Sequence, residues 1–234
     1  MDFGLTSEQR QMFDTVRAFA IAHLAPHALE WDRTATLPRE TLREIAKLGM
    51  GGVCVAEENG GAGLTRLDSV LLFEALSYGC PAIAAFVSIE NLCAGMISAH
   101  AHEELRARWL PKLIALESLA SYCLTEPGSG SDAAALATRA TLDGNHYVLN
   151  GSKAFISGGG VSDVYLVMAR TGGLGPKGIS AILVEKETPG LSFGANERKM
   201  GWNAQPTAQV MFDNCRVPAS NLLGEEGLGF SYAL

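Results

Sequence analysis

Two periodicities divide the chain. From Thr6 to about residue 118 apolar side chains recur at steps of three and four, the spacing of an amphipathic helix. Met12, Phe13, Val16, Phe19, Ala20 and Leu24 make the first such stripe, behind a Thr6/Gln9 pair suited to a capping box, and it runs until Pro26. A second helix is predicted from Pro38, a first-turn proline, to Gly49, and a glycine-rich loop over residues 57–63. Further helices fit residues 67–78, 82–99 and 103–116, with Gly79-Cys80-Pro81 separating the first two. The reading is three to five packed helices.

Beyond Leu119 the pattern alternates with period two, punctuated by turn signals at Asp143-Gly144, Asn150-Gly151, residues 158–160, residues 172–178 and Pro189-Gly190. Residues 164–169, 179–184 and 208–215 read as strands. The expected class is α+β: an all-α N-terminal domain (1–118), an antiparallel barrel-like or sandwich-like middle domain (119–222), and the start of a further helical region (223–234).

Composition narrows this picture. A 47% hydrophobic and 18% charged chain of 234 residues packs rather than stays disordered. A net charge of −7 argues against nucleic-acid binding, which needs a clustered basic face. Five scattered cysteines, Cys54, Cys80, Cys93, Cys123 and Cys215, form no C-x-x-C pair and suit a reducing compartment. The first basic residue is Arg10, so a secretory signal is not expected. Residues 82–89 are interrupted by Ser88 and then Glu90 and read as a buried helix, not a membrane span.

The chemistry is concentrated in Tyr122-Cys123-Leu124-Thr125-Glu126-Pro127-Gly128-Ser129-Gly130-Ser131-Asp132. A strand-like run ends in a loop where Pro127 holds Glu126 extended, two glycines turn the chain, and the Ser129 and Ser131 hydroxyls add donors, a composition suited to a diphosphate. With Lys153-Ala154-Phe155-Ile156-Ser157 after Asn150-Gly151, this segment resembles the acyl-CoA dehydrogenase family, whose middle domain carries Y-x-x-T-E-P-x-x-G-S-D and then K-x-[WF]-I-[ST]. Phe73-Glu74-Ala75-Leu76, Gly178-Ile179-Ser180-Ala181, Lys199-Met200-Gly201-Trp202, Phe212-Asp213 and Val217-Pro218 extend the resemblance over the whole chain. The runs from Arg170 to Ser180 and from Gly201 to Thr207 are most similar to members acting on isobutyryl-CoA.

The resemblance implies an FAD-dependent α,β-dehydrogenation of a short branched-chain acyl-CoA. It places Tyr122, Leu124 and Thr125 along the flavin ring, Gly130 and Ser131 at the pyrophosphate, Ser131 also at the substrate's pantetheine arm, and Phe155, Ile156 and Ser157 across the ring. Glu74 falls beside the acyl pocket, while Val87, Leu92 and Met96 stay unassigned. Electron-transfer flavoprotein is the implied electron acceptor, a homotetramer the implied assembly, and the bacterial cytoplasm or mitochondrial matrix the implied location. Family members continue with a C-terminal helical bundle that carries the glutamate base, so no catalytic residue is assigned in this chain and turnover by it alone is not expected. An acyl-CoA oxidase, a flavin monooxygenase of the same fold and a non-catalytic binding fragment stay open.

Two other patterns carry less. Gly173-Leu174-Gly175-Pro176-Lys177-Gly178 matches G-x-G-x-x-G but precedes a strand, so a hairpin loop is the better reading. His100-Ala101-His102-Glu103-Glu104 lacks metal-ligand spacing and reads as an acidic helix start, and no histidine or serine falls in a nucleophile motif.

Overall fold

The computed structural model describes residues 4–233; the Met1 to Phe3 portion of the expected N-terminal domain and Leu234 lie outside the described residues. Six helices come first: α1 (Ser7–His23), α2 (Ala25–Thr34), α3 (Arg39–Lys47), α4 (Arg66–Ser77), α5 (Pro81–His100) and α6 (Glu103–Ile114). The Thr6 hydroxyl accepts from the Gln9 amide and the Gln9 side chain accepts from the Thr6 amide, closing the expected capping box on α1.

The count exceeds the three to five expected because the chain re-enters a helix at Ala25, with Pro26 in its first turn, where no N–H is missed. None of its residues is fully buried, so it carries no clear apolar stripe.

Helix α5 is the hub. It is long and apolar enough to cross a membrane by length and composition, with mean hydropathy 1.6, but 61% of that window is buried inside the fold. Phe86 and Val87 pack with the α1, α3 and α4 core, and Cys93, Ala94 and Ile97 pack with α6 and one face of the sheet.

Eight strands follow: β1 (Ala120–Cys123), β2 (Arg139–Asp143), β3 (His146–Ser157), β4 (Val164–Arg170), β5 (Ile179–Glu185), β6 (Leu191–Phe193), β7 (Thr207–Pro218) and β8 (Leu222–Leu223), with a closing turn α7 (Gly229–Tyr232). They form one sheet in the order β6-β7-β3-β2-β4-β5-β8, with β1 on β4. Most pairings are antiparallel as expected, but β1–β4 and the single β2–β4 contact are parallel.

Both sheet faces are covered. Val164, Leu166 and Met168 face the helices, whereas Tyr165, Val167 and Ala169 face a second core lined by β3 and β7. Tyr165 meets Phe193 of β6 at 5.1 Å between ring centroids, although β4 and β6 are not neighbours in the sheet. The sheet therefore curls over its own interior in the barrel-like manner expected.

One turn signal is corrected. Asn150-Gly151 is not a hairpin: β3 runs through it with a bulge, and the hairpin turn is Gly144-Asn145, just after Asp143 pairs with His146. Gly151 adopts φ 145° and a Cβ there would meet Thr138 Cα at 2.7 Å, so this glycine serves close packing rather than chain reversal.

Candidate functional site

Strands β1 and β2 lie end to end between β3 and β4: β1 pairs with the first half of β4, and Arg139 at the start of β2 reaches Arg170 at its end. The glycine loop is the excursion that leaves this line after Thr125 and rejoins it at Thr138. Its neck is closed by one side chain. The Glu126 carboxylate accepts from the amides of Ala137 at 2.6 Å and Thr138 at 2.9 Å, and from the Lys153 ammonium of β3 at 2.7 Å. Lys153, with 0% of its side chain exposed, also donates to the Leu124 carbonyl at 3.0 Å. Burial raises the Glu126 pKa, but Lys153 and the two amides outweigh it and hold the carboxyl below its usual value.

The loop opens with a tight Pro127-Gly128 turn in which Glu126 and Ser129 exchange main-chain bonds of 3.0 and 3.1 Å. Buried Arg170 holds its far side by donating to the carbonyls of Ala134 and Leu136, and to Gly173 and Gly175 of the β4–β5 hairpin loop. No carboxylate pairs with it among the described residues.

The two segments singled out in sequence are brought together. The Ala154 amide donates to the Thr125 carbonyl at 2.9 Å, and the Ser121 hydroxyl, one residue before Tyr122, donates to the Ser157 carbonyl at 2.7 Å. Phe155 between them is 67% exposed at a bulge with φ 57°, a left-handed conformation costly for an aromatic residue. A core aromatic would be neither exposed nor strained. Ile156 points the opposite way into the second core, so only its main chain is available to a ligand.

Leu124, Thr125 and Ser157 are half-buried. The Tyr122 hydroxyl is buried with no partner among the described residues, and burial raises its pKa. Gly130 and Ser131 are exposed, and their amides donate to no other group among the described residues. The Ser129 hydroxyl, expected to serve an anion, is instead spent on the Asp132 carbonyl at 2.6 Å inside the loop.

Several groups at the site escaped the sequence reading. Gln205 donates its side-chain amide to the Ser157 hydroxyl, while the Lys199 ammonium reaches the Gln205 carbonyl and, at 2.8 Å, the Thr207 hydroxyl. Glu90 on α5 is fully buried and accepts from the Ala120 amide at 2.8 and 3.1 Å; burial pushes its pKa well up. Asp163 accepts from the neighbouring Leu119 amide at 2.8 Å, so β1 is pinned at its start by two carboxyls. No periodicity marks such residues; only their position beside the motif segments does.

Two weaker patterns are placed as well. Residues 172–178 form the β4–β5 hairpin loop, and His102 caps α6 through a bond from the Leu105 amide. Glu74 is not among the groups gathered around the glycine loop; it lies on α4.

The cradle fits a flat ligand with a diphosphate on three counts. Gly128 and Gly130 have ordinary negative-side backbone angles and no atom within 4 Å of an added Cβ, so nothing inside the chain requires glycine there. Phe155 presents an aromatic face outward at a conformational cost. Tyr122, at the start of the first segment, keeps a buried hydroxyl unpaired.

The chain matches the family described as "Acyl-CoA dehydrogenase, N-terminal domain" over residues 6–117 and "Acyl-CoA dehydrogenase, middle domain" over residues 121–215. It is 56% identical to a mitochondrial isobutyryl-CoA dehydrogenase of Dictyostelium discoideum across 99% of this chain and 56% of that protein. The butyryl-CoA dehydrogenase structure from Megasphaera elsdenii superposes with a TM-score of 0.91 at 36% identity, over 100% of this chain and 62% of that one. PigA with FAD and proline superposes with a TM-score of 0.93 at 30% identity, over 99% of this chain and 62% of that one. The chain thus spans little more than half the length of the relatives it matches.

Proposed function

This chain belongs to the acyl-CoA dehydrogenase family, and from that premise we propose that it forms the N-terminal helical part (1–118) and the flavin-binding middle part (119–222) of an FAD-dependent dehydrogenase for a short branched-chain acyl-CoA such as isobutyryl-CoA. The carrying observation is that the segment entering the glycine loop and the strand carrying the Phe155 bulge are joined, by the Ala154–Thr125 bond and the Lys153–Glu126 pair.

FAD, when bound, supplies the acceptor for the hydride that leaves the substrate's β-carbon. The chain's residues bind and orient. Tyr122, Leu124 and Thr125 line the ring, Gly130 and Ser131 offer free amides and a hydroxyl to the pyrophosphate, with Ser131 within reach of the pantetheine arm. Phe155, the Ile156 main chain and Ser157 border the other side. The phosphate charge is met by local N–H groups rather than by the chain's overall charge of −7.

The base that takes the α-proton is not assigned to this chain. Its two buried glutamates are engaged, Glu90 with Ala120 and Glu126 with Lys153, Ala137 and Thr138. The whole enzyme is proposed to be a homotetramer in the bacterial cytoplasm or mitochondrial matrix, handing electrons to an electron-transfer flavoprotein. Anaerobic mixing of the FAD-loaded chain with isobutyryl-CoA is expected to perturb the flavin spectrum without bleaching it. Bleaching would overturn the assignment of the base elsewhere, and no spectral change at all would overturn the acyl-CoA assignment.

A further inference from the structure

Gln205 stands behind Ser157 rather than in the cradle, at the end of the loop that joins β6 to β7, and is 5% exposed. Its side-chain nitrogen donates to the Ser157 hydroxyl oxygen, and its side-chain oxygen has no partner among the described residues. The reverse amide orientation would leave both buried N–H donors unpartnered, whereas the observed one leaves one N–H and the carbonyl oxygen. The Gln205 main chain is fixed independently: its carbonyl accepts from Lys199 and its amide donates to the Trp202 carbonyl at 3.1 Å.

We infer that Gln205 is a positioning residue that sets the direction of the Ser157 hydroxyl. A serine hydroxyl has one proton and two lone pairs. Because Oγ accepts from Gln205, the proton is left for another acceptor, and the Ser157 main-chain carbonyl is already taken by Ser121, whose hydroxyl also contacts Ser162 at 2.9 Å. The serine thus turns its proton away from Gln205 and toward the half-buried side of the cradle, with one lone pair remaining on Oγ. This inference rests on the flavin reading above and gives one contact its direction: the Ser157 proton, turned away from Gln205, is donated to an accepting atom of the ring.

The inference is tested with three variants of the chain: Ser157→Ala, Gln205→Glu and the two combined. A carboxylate at 205 can only accept, so it turns the Ser157 proton inward and removes it from the ligand while Ser157 stays in place. Lys199 lies close enough to compensate the added charge. Titrations with FAD are followed by flavin fluorescence, and the visible band of bound flavin is recorded. Ser157→Ala and Gln205→Glu should each weaken FAD by about tenfold, the ordinary effect of one lost hydrogen bond, move the band alike, and show no further loss when combined.

Should Gln205→Glu fail to fold, Gln205→Met removes the donor without adding charge. It is expected to weaken FAD by roughly two- to threefold, because the freed hydroxyl then samples several directions. Parental behaviour of Gln205→Glu or Gln205→Met, or losses that multiply in the double variant, would overturn the inference while leaving the flavin reading intact. Absence of FAD binding by the parent chain would overturn both.

Discussion

Lys153→Met should destabilise the protein by about 3 kcal/mol, at the lower end of the ~3–5 kcal/mol that breaking a buried ion pair costs. Methionine keeps the aliphatic stem and nearly the volume of lysine, so little packing is lost. The Leu124 carbonyl loses its 3.0 Å donor and the Glu126 carboxylate loses its 2.7 Å cation. Glu126 keeps its amide bonds to Ala137 and Thr138, which limits the penalty.

For a chain of this size ~1 kcal/mol corresponds to about 2–4 °C, so the melting temperature should fall by roughly 6–12 °C. Urea denaturation followed by circular dichroism resolves this. Because the pair closes the neck of the glycine loop, limited proteolysis should also cut the variant within residues 127–136 sooner than the parent. A Lys153→Met protein within ~1 kcal/mol of the parent, with unchanged loop proteolysis, would refute the neck argument.

Other expectations follow from the same geometry. Glu126 is held below its ordinary pKa of ~4.3, so the stability it contributes is complete above that value and is lost as pH falls through the lower folded-state value. Urea midpoints should drop on the acid side of pH ~4, and Glu126→Gln should flatten that limb; an unchanged limb would contradict the pairing. Phe155→Gly should leave stability unchanged or raise it by up to ~1 kcal/mol, since it relieves the strained backbone of a mostly exposed side chain, yet it should weaken FAD severalfold. Loss of stability above ~1 kcal/mol would mark Phe155 as a core residue after all. Arg170→Met strands four main-chain carbonyls and should cost ~3 kcal/mol or more, read as a fall in urea midpoint; a neutral outcome would show that water replaces the guanidinium.

Helices α1, α4 and α6 and strand β7 were legible because one face of each is buried and the other is carried by polar residues, while α5, β4 and β5, buried on nearly all sides, were legible as apolar runs bounded by breakers. Helix α2 was not, since it buries no residue fully and begins at a proline that reads as a stop. Asn150-Gly151 misled for the opposite reason: the dipeptide is a turn signal in general, but here the glycine lets β3 pass close to Thr138. At the site, the order of residues singled out the two segments that the Ala154–Thr125 bond joins. It could not expose Gln205, Arg170 or the neck formed by Glu126 and Lys153, because most of those contacts join positions 11 to 48 residues apart and depend on β1 and β2 lying end to end.

The central claim is that two distant stretches of chain form one flavin cradle, and a titration of the parent chain and Gly130→Val with FAD tests it most directly. A side chain at position 130 meets no protein atom within 4 Å of its Cβ, so the variant should fold and melt like the parent. The account predicts saturable one-to-one binding by the parent and loss of that binding by more than tenfold in Gly130→Val. Failure of the parent to bind FAD, or equal binding by both, would contradict it.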